Sequence, residues 1–166
     1  MEESLYTVDG LDKVITLDDL PRPDAGSPFP IVFSDDQNLL LSYDISLHVE
    51  GRVVLRFNRA HAHYFGAPND EALHGHPLYS RGLRCYGIFE VLESSWKRCL
   101  EKVNRVHRQH DPDSFNSIRH FIITFHDKTF ECLANGVAIA VRLPDGPDDA
   151  RSLLLQFADQ IRRPSD

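Results

Sequence analysis

The stretch HFIITFHDKTFECLA, residues 120–134, decides how the fold is read. As two extended segments around a turn it sends alternate side chains to opposite faces. With the turn centred on Asp127 and Lys128, His126 faces Thr129, Thr124 faces Glu131, Ile122 faces Leu133 and His120 lies near Asn135. The opposite face carries Phe121, Ile123, Phe125, Phe130 and Cys132, an apolar surface suited to packing under a helix. A turn longer by two residues preserves this division of faces. The polar face gathers imidazole, hydroxyl and carboxylate groups. They suit proton transfer, because histidine titrates near neutral pH and a neighbouring carboxylate orients it. A plain solvated sheet face accounts for the same residues, with the threonines present for strand propensity.

Working outward, the residues before this hairpin supply a helix. In SSWKRCLEKVNRVH, residues 94–107, Ser94 or Ser95 can cap the first turn, and Trp96, Cys99, Leu100, Val103 and Val106 fall at helical spacing. IFEVLES, residues 88–94, reads as the strand leading into it, and RQHDPDSFNS, residues 108–117, as its breaker. After the hairpin, GVAIAV, residues 136–141, ends its second strand or forms one more. GPDDARSLLLQFADQIRR, residues 146–163, has Pro147 and aspartates at its start and arginines at its end, matching the helix dipole. Leu154, Phe157, Ala158 and Ile161 make its buried stripe.

Towards the N-terminus the period is again two. VITL, residues 14–17, is a short strand; residues 18–30, with several prolines, form an exposed connector; PIVF, residues 30–33, is a strand. In LLLSYDISLHV, residues 39–49, Leu39, Leu41, Tyr43, Ile45, Leu47 and Val49 share a face. A three-residue loop at residues 50–52 pairs Val49 with Val53 and Ile45 with Phe57, and keeps Arg52 and Arg56 off the leucine face. Residues 59–87 read as one long irregular segment with a helical turn near residues 70–73 capped by Asn69; long structured loops often carry function. Runs of strands with two helices predict a single α+β domain: an antiparallel sheet of about five to seven strands packed by a central and a C-terminal helix.

Composition limits the function. A chain of 166 residues with a formal charge of −7 is one domain and a poor match for the phosphate backbone of a nucleic acid. No apolar run approaches the roughly 20 residues that span a bilayer, the acidic N-terminal residues 1–14 lack the order of a secretory signal, and three cysteines cannot all pair. The expectation is a cytoplasmic protein with no membrane or nucleic-acid partner and no bound cofactor. Nine histidines include HAH at residues 61–63 and HGH at residues 74–76, each able to begin a metal site but lacking a defined third ligand. His107 and His110 straddle a helix end, where capping is the simpler role. No Walker, GxGxxG, HExxH or GxSxG element occurs.

The blocks FGAPNDEALHGHPLY, FEVLESSW and HFIITFHDKTFECLA, in this order, resemble a group of small uncharacterised bacterial proteins carrying FGxPNDEA, GHPL, FEV with a following SSW, and HFxxTFHDxTFE. The resemblance covers residues 64–133, with Lys128 standing where the pattern has a smaller residue. It implies no activity, but it points to Asn69, Asp70, Glu71, His76, His120, Thr124, His126 and Glu131 as a shared site. The resulting expectation is a small binding or protein-interaction module, one version being immunity against a basic toxin or nuclease. Its surface would be the loop with the polar hairpin face, including Asp127. The alternative is a small enzyme using His120 or His126 with Glu131 for acid-base or metal-assisted work on a polar small molecule, in which Glu131→Gln spares the fold and damages activity. A homodimer joined along a sheet edge is a third arrangement.

Overall fold

The computed structural model describes residues 6–45, 51–143 and 147–162. Along the chain run β1 (Lys13–Thr16), β2 (Ile31–Ser34), β3 (Leu39–Asp44), β4 (Arg52–Asn58), β5 (Ala62–Gly66), β6 (Ile88–Leu92), α1 (Ser95–Asn104), β7 (Arg119–Thr124), β8 (Thr129–Ala134), β9 (Gly136–Leu143) and α2 (Pro147–Arg162). The class is α+β with antiparallel strands, and the strands divide into two sheets. One has the order β1-β6-β7-β8-β5, the other β2-β3-β4-β9. β5 is a strand inside the segment expected to be irregular; its HYF lacks the polar-apolar alternation that would mark one.

The two sheets pack face to face. Leu39, Leu41, Tyr43, Val53, Leu55 and Phe57 of the smaller sheet meet Phe121, Ile123, Phe130 and Cys132 of the larger one. Phe57 sits between Phe121 and Phe130, with ring centroids 5.9 and 5.2 Å away. The phenylalanine face of the hairpin is therefore covered by a second sheet, not by α1 as its pattern suggested. Sheet-on-sheet packing satisfies the same apolar alternation as helix-on-sheet packing, so the two are indistinguishable from one strand's residues.

Each outer face has its own cover. α2 lays Leu154 and Ala158 on Leu40 and Val54, with Phe157 and Ile161 partly buried beside them. The larger sheet's outer face, with Phe89, Val91, Ile122 and Leu133, is covered by Trp96 of α1, by Tyr6, and by Leu73, Leu78 and Leu83 from the loop between β5 and β6. Ser94 is the cap of α1, accepting the Lys97 amide at 3.1 Å. Only the start of α1 touches the core: Cys99 is exposed, Val103 is 66% exposed, and Val106, beyond the helix end, is 92% exposed. The expected five-residue stripe thus shrinks to Trp96 and Leu100.

Registers moved while faces held. In the β7–β8 hairpin Thr124 pairs with Thr129, Ile122 with Glu131 and His120 with Leu133, and the Phe125 amide bonds the Lys128 carbonyl at 2.8 Å. The turn centres on His126 and Asp127, one residue earlier than expected, so His126 leaves the sheet. In the β3–β4 pair Leu41 faces Leu55 and Leu39 faces Phe57, a shift of six residues from the expected pairing. An even shift preserves side-chain parity, which is why Arg52 and Arg56 still avoid the leucine face. Leu47 and Val49 lie outside the described residues. The proline-bearing residues 18–30 are exposed in part, with Leu20, Pro23 and Pro28 buried and the Tyr43 hydroxyl bonding the Pro21 carbonyl at 2.6 Å.

Candidate functional site

Two clusters of ionisable groups form where the loop of residues 67–87 meets the β7–β8 hairpin. The motif blocks that lie far apart in sequence therefore meet in space, at two separate points.

The first cluster is sealed. Glu131 is 3% exposed and His120 is 0% exposed, beneath Tyr6, Trp96 and the loop. The Glu131 carboxylate accepts from the Tyr6 hydroxyl at 2.8 Å, with His76 Nε2 at 2.9 Å and His120 Nε2 at 3.0 Å. The second nitrogen of His76 settles that ring's tautomer. The Leu78 amide donates to His76 Nδ1 at 3.1 Å, so Nε2 carries that ring's proton. His120 Nε2 faces the same acceptor-only carboxylate and so carries a proton, while its Nδ1 lies 2.9 Å from Ser94 Oγ, a hydroxyl that also accepts from the Lys97 amide. Two imidazoles and a phenol thus surround one buried carboxylate. Tyr6 and Trp96 stack at 5.5 Å, and both set their rings edgewise to His120.

Burial pushes the Glu131 carboxyl up, but the hydrogen bonds from His120 and His76 outweigh it and bring the pKa down to about 2. Burial, and then the charge of Glu131, push the Tyr6 phenol far up; burial does the same to Tyr43. The consequences for stability have opposite signs. Below its ordinary value of 4.5 the unfolded chain protonates Glu131 first, so its contribution is complete above that pH and is lost as pH falls towards 2. The contribution of the un-ionised phenols is complete below 10.0 and is lost above it. Denaturation midpoints are expected to form a plateau between these limits and fall on both sides. Glu131→Gln should flatten the acid limb and Tyr6→Phe the alkaline one; an acid limb identical in Glu131→Gln would rule the carboxylate out as its source.

This arrangement buries part of the polar hairpin face. His120, Thr124 and Glu131 face the protein interior, not a cleft, and Glu131 joins four separate chain segments as an internal staple. Thr124 Oγ1 bonds the Arg84 carbonyl at 2.9 Å and Thr129 Oγ1 the Pro68 carbonyl at 2.9 Å, so both threonines tie the loop to the sheet. Nothing in the sequence links Tyr6 to Glu131, 125 positions away, and Ser94 reads there only as a candidate helix cap.

The second cluster reaches the surface. Asp70 Oδ2 lies 2.9 Å from His126 Nδ1 and accepts the Tyr86 hydroxyl, while the Asp70 amide bonds the His126 carbonyl at 2.9 Å. The His126 side chain is 45% exposed, and among the described residues its Nε2 has no bond. The Tyr86 hydrogen bond, opposed by burial, holds the Asp70 carboxyl down, with further help from the Glu71 amide and His126; the same bond pushes Tyr86 up to about 12. Tyr86 holds a left-handed backbone at φ 57°, a conformation costing a bulky residue about 1–2 kcal/mol. Asn69 Oδ1 accepts the Ala72 amide at 3.1 Å and closes the turn of residues 70–72, ahead of the short helix that starts at Leu73; Glu71 and Asp127 are exposed beside the cluster. Cys85 is exposed next to Asp70, but burial and that carboxylate push its thiol up, which argues against an activated nucleophile.

The remaining histidines disperse. His74 points outward while His76 turns in to Glu131; His61 and His63 are exposed at β5. No three histidine, cysteine or carboxylate side chains among the described residues are placed to hold a metal ion. His110 bonds Glu101 at 2.9 Å and Asn104 at 3.0 Å, closing the end of α1. No helix among the described residues is long and apolar enough to cross a membrane. Comparison with known proteins finds no match to a family model, a curated protein or a solved structure.

Proposed function

We propose that this chain is a cytoplasmic binding module whose recognition surface is the junction of the loop with the hairpin turn, presenting Glu71, Tyr86, His126 and Asp127. The observation that carries the reading is the pinning of Asp70 by the His126 ring, the Tyr86 hydroxyl and the hairpin main chain at once. Such a frame holds exposed polar groups in place before a partner arrives, which lowers the ordering cost of binding. The excess of carboxylates, with net charge −7, favours a basic protein partner, as immunity to a basic toxin or nuclease would require. Exposed free thiols at Cys85 and Cys99 suit a reducing compartment.

The test is affinity purification from the source cells with the wild-type chain and a Glu71→Lys, Asp127→Lys variant, followed by titration of the purified partner. Loss of about tenfold or more in affinity, with an unchanged melting temperature, is expected. Equal affinity for both proteins would overturn the assignment.

A specific geometry favours a second reading, an enzyme: Asp70 holds His126 by Nδ1 and leaves Nε2 facing outward, the placement of a general base. In that case His126→Gln abolishes turnover of a small polar substrate while binding persists. The buried pair His120 and Glu131 takes no part in either reading.

A further inference from the structure

We propose that a cleft at one end of the sandwich binds a small, multiply charged oxyanion. The cleft has a volume of about 730 Å³ and is bounded by residues 34–39, from the end of β2 to the start of β3, and residues 56–63, from the end of β4 into β5. None of these residues belongs to the Asp70 surface. The volume lies in the range of small-molecule sites and far exceeds a single phosphate. Its position follows from topology. His63 pairs with Cys132, which faces the inter-sheet core, so His63 emerges on that same face from the edge strand of the larger sheet. Leu39 and Phe57 of the smaller sheet also line the cleft, which therefore opens where the two sheets part.

The donor groups of the lining point to the ligand class. Arg56, Arg59, His61 and His63 line the cleft. Of the other described arginines, Arg22, Arg52, Arg98, Arg105 and Arg119 sit within 4.0 Å of a carboxylate, while Arg81 and Arg84 bond main-chain carbonyls. Among the described residues Arg59 has neither an ion pair nor a hydrogen bond, and Arg56 reaches only the Asn38 amide oxygen, at 3.4 Å. Asp35 and Asp36 share the cleft, but Asp35 Oδ1 is engaged by the amides of Gln37 and Asn38, each at 2.8 Å. Arg56 and Arg59 thus bring two guanidinium groups to the cleft with no carboxylate partner among the described residues, each a fork of donors that phosphate or carboxylate oxygens accept. Arg59 moreover holds φ 48°, the left-handed region in which glycine is relaxed and arginine is not.

Calorimetric titration of the full chain with inorganic pyrophosphate and, separately, with citrate distinguishes phosphate from carboxylate chemistry. One of them is expected to bind one-to-one. Arg59→Gly should weaken that binding by about tenfold or more while its melting temperature stays level or rises, since glycine relieves the backbone. His63→Gln should also weaken it, and Arg98→Gln, away from the cleft, should leave it unchanged. Absence of binding by both titrants at about 1 mM, or an Arg59→Gly variant that binds as tightly as the parent, would overturn the proposal.

Discussion

Replacing Glu131 by alanine is expected to destabilise the fold by about 3–5 kcal/mol, because it strands three buried donors, each costing about 1–3 kcal/mol when left unsatisfied. Tyr6, His76 and His120 all direct a hydrogen at this carboxylate. His76 has no alternative, since its Nδ1 already accepts the Leu78 amide. Glutamine is the informative intermediate. Its carboxamide oxygen must face His76, whose tautomer is locked, which turns its amino group towards His120 and Tyr6. His120 can answer by moving its proton to Nδ1 and donating to Ser94, a rearrangement costing about 1–3 kcal/mol in all. Urea denaturation gives both energies, and nitrogen chemical shifts of His120 report the tautomer change. An alanine variant within about 0.5 kcal/mol of wild type would mean that the network contributes nothing to the fold. The earlier expectation that glutamine spares folding rested on a solvent-facing carboxylate, which the structure does not have.

Phe125→Ala is expected to cost about 3–5 kcal/mol as well, for a different reason: it opens a cavity between the sheets. The ring is buried, with its centroid 5.4 Å from that of Tyr43 at an interplanar angle of 61°. Tyr43 belongs to the smaller sheet and Trp96 to α1, so a pair of double-mutant cycles separates the two possible covers. Coupling of about 0.5–1.5 kcal/mol between Phe125 and Tyr43, with additivity between Phe125 and Trp96, is the signature of sheet-on-sheet packing. The reverse pattern would return the phenylalanine face to the helix.

The contrast between these residues shows how far the sequence could be read. Phe125 and Glu131 were assigned to opposite faces of the hairpin, and the structure keeps them there although the register slid by two positions. The loop and hairpin blocks were singled out together, and Asp70 with His126, and His76 with Glu131, are indeed in contact. What could not be read was the cover. An amphipathic strand demands something apolar against it and does not specify a helix or another sheet. Nor could the polar face be recognised as interior, since its partners Tyr6 and Ser94 come from segments with no local pattern linking them to Glu131. The stripe of α1 failed at Val103 and Val106 for a related reason: helical spacing is blind to where the neighbouring sheet ends.

Taken by itself, the order of residues determined side-chain parity, the helix starts at Ser94 and Pro147, and the antiparallel α+β class. These follow from backbone periodicity and capping, which act over a few neighbours. Only the tertiary structure decided that there are two sheets, that Glu131 is enclosed, that His126 pairs with Asp70, and that Arg59 stands at an open cleft. Those outcomes depend on which distant segments bury each other's surface, a competition that no local pattern contains.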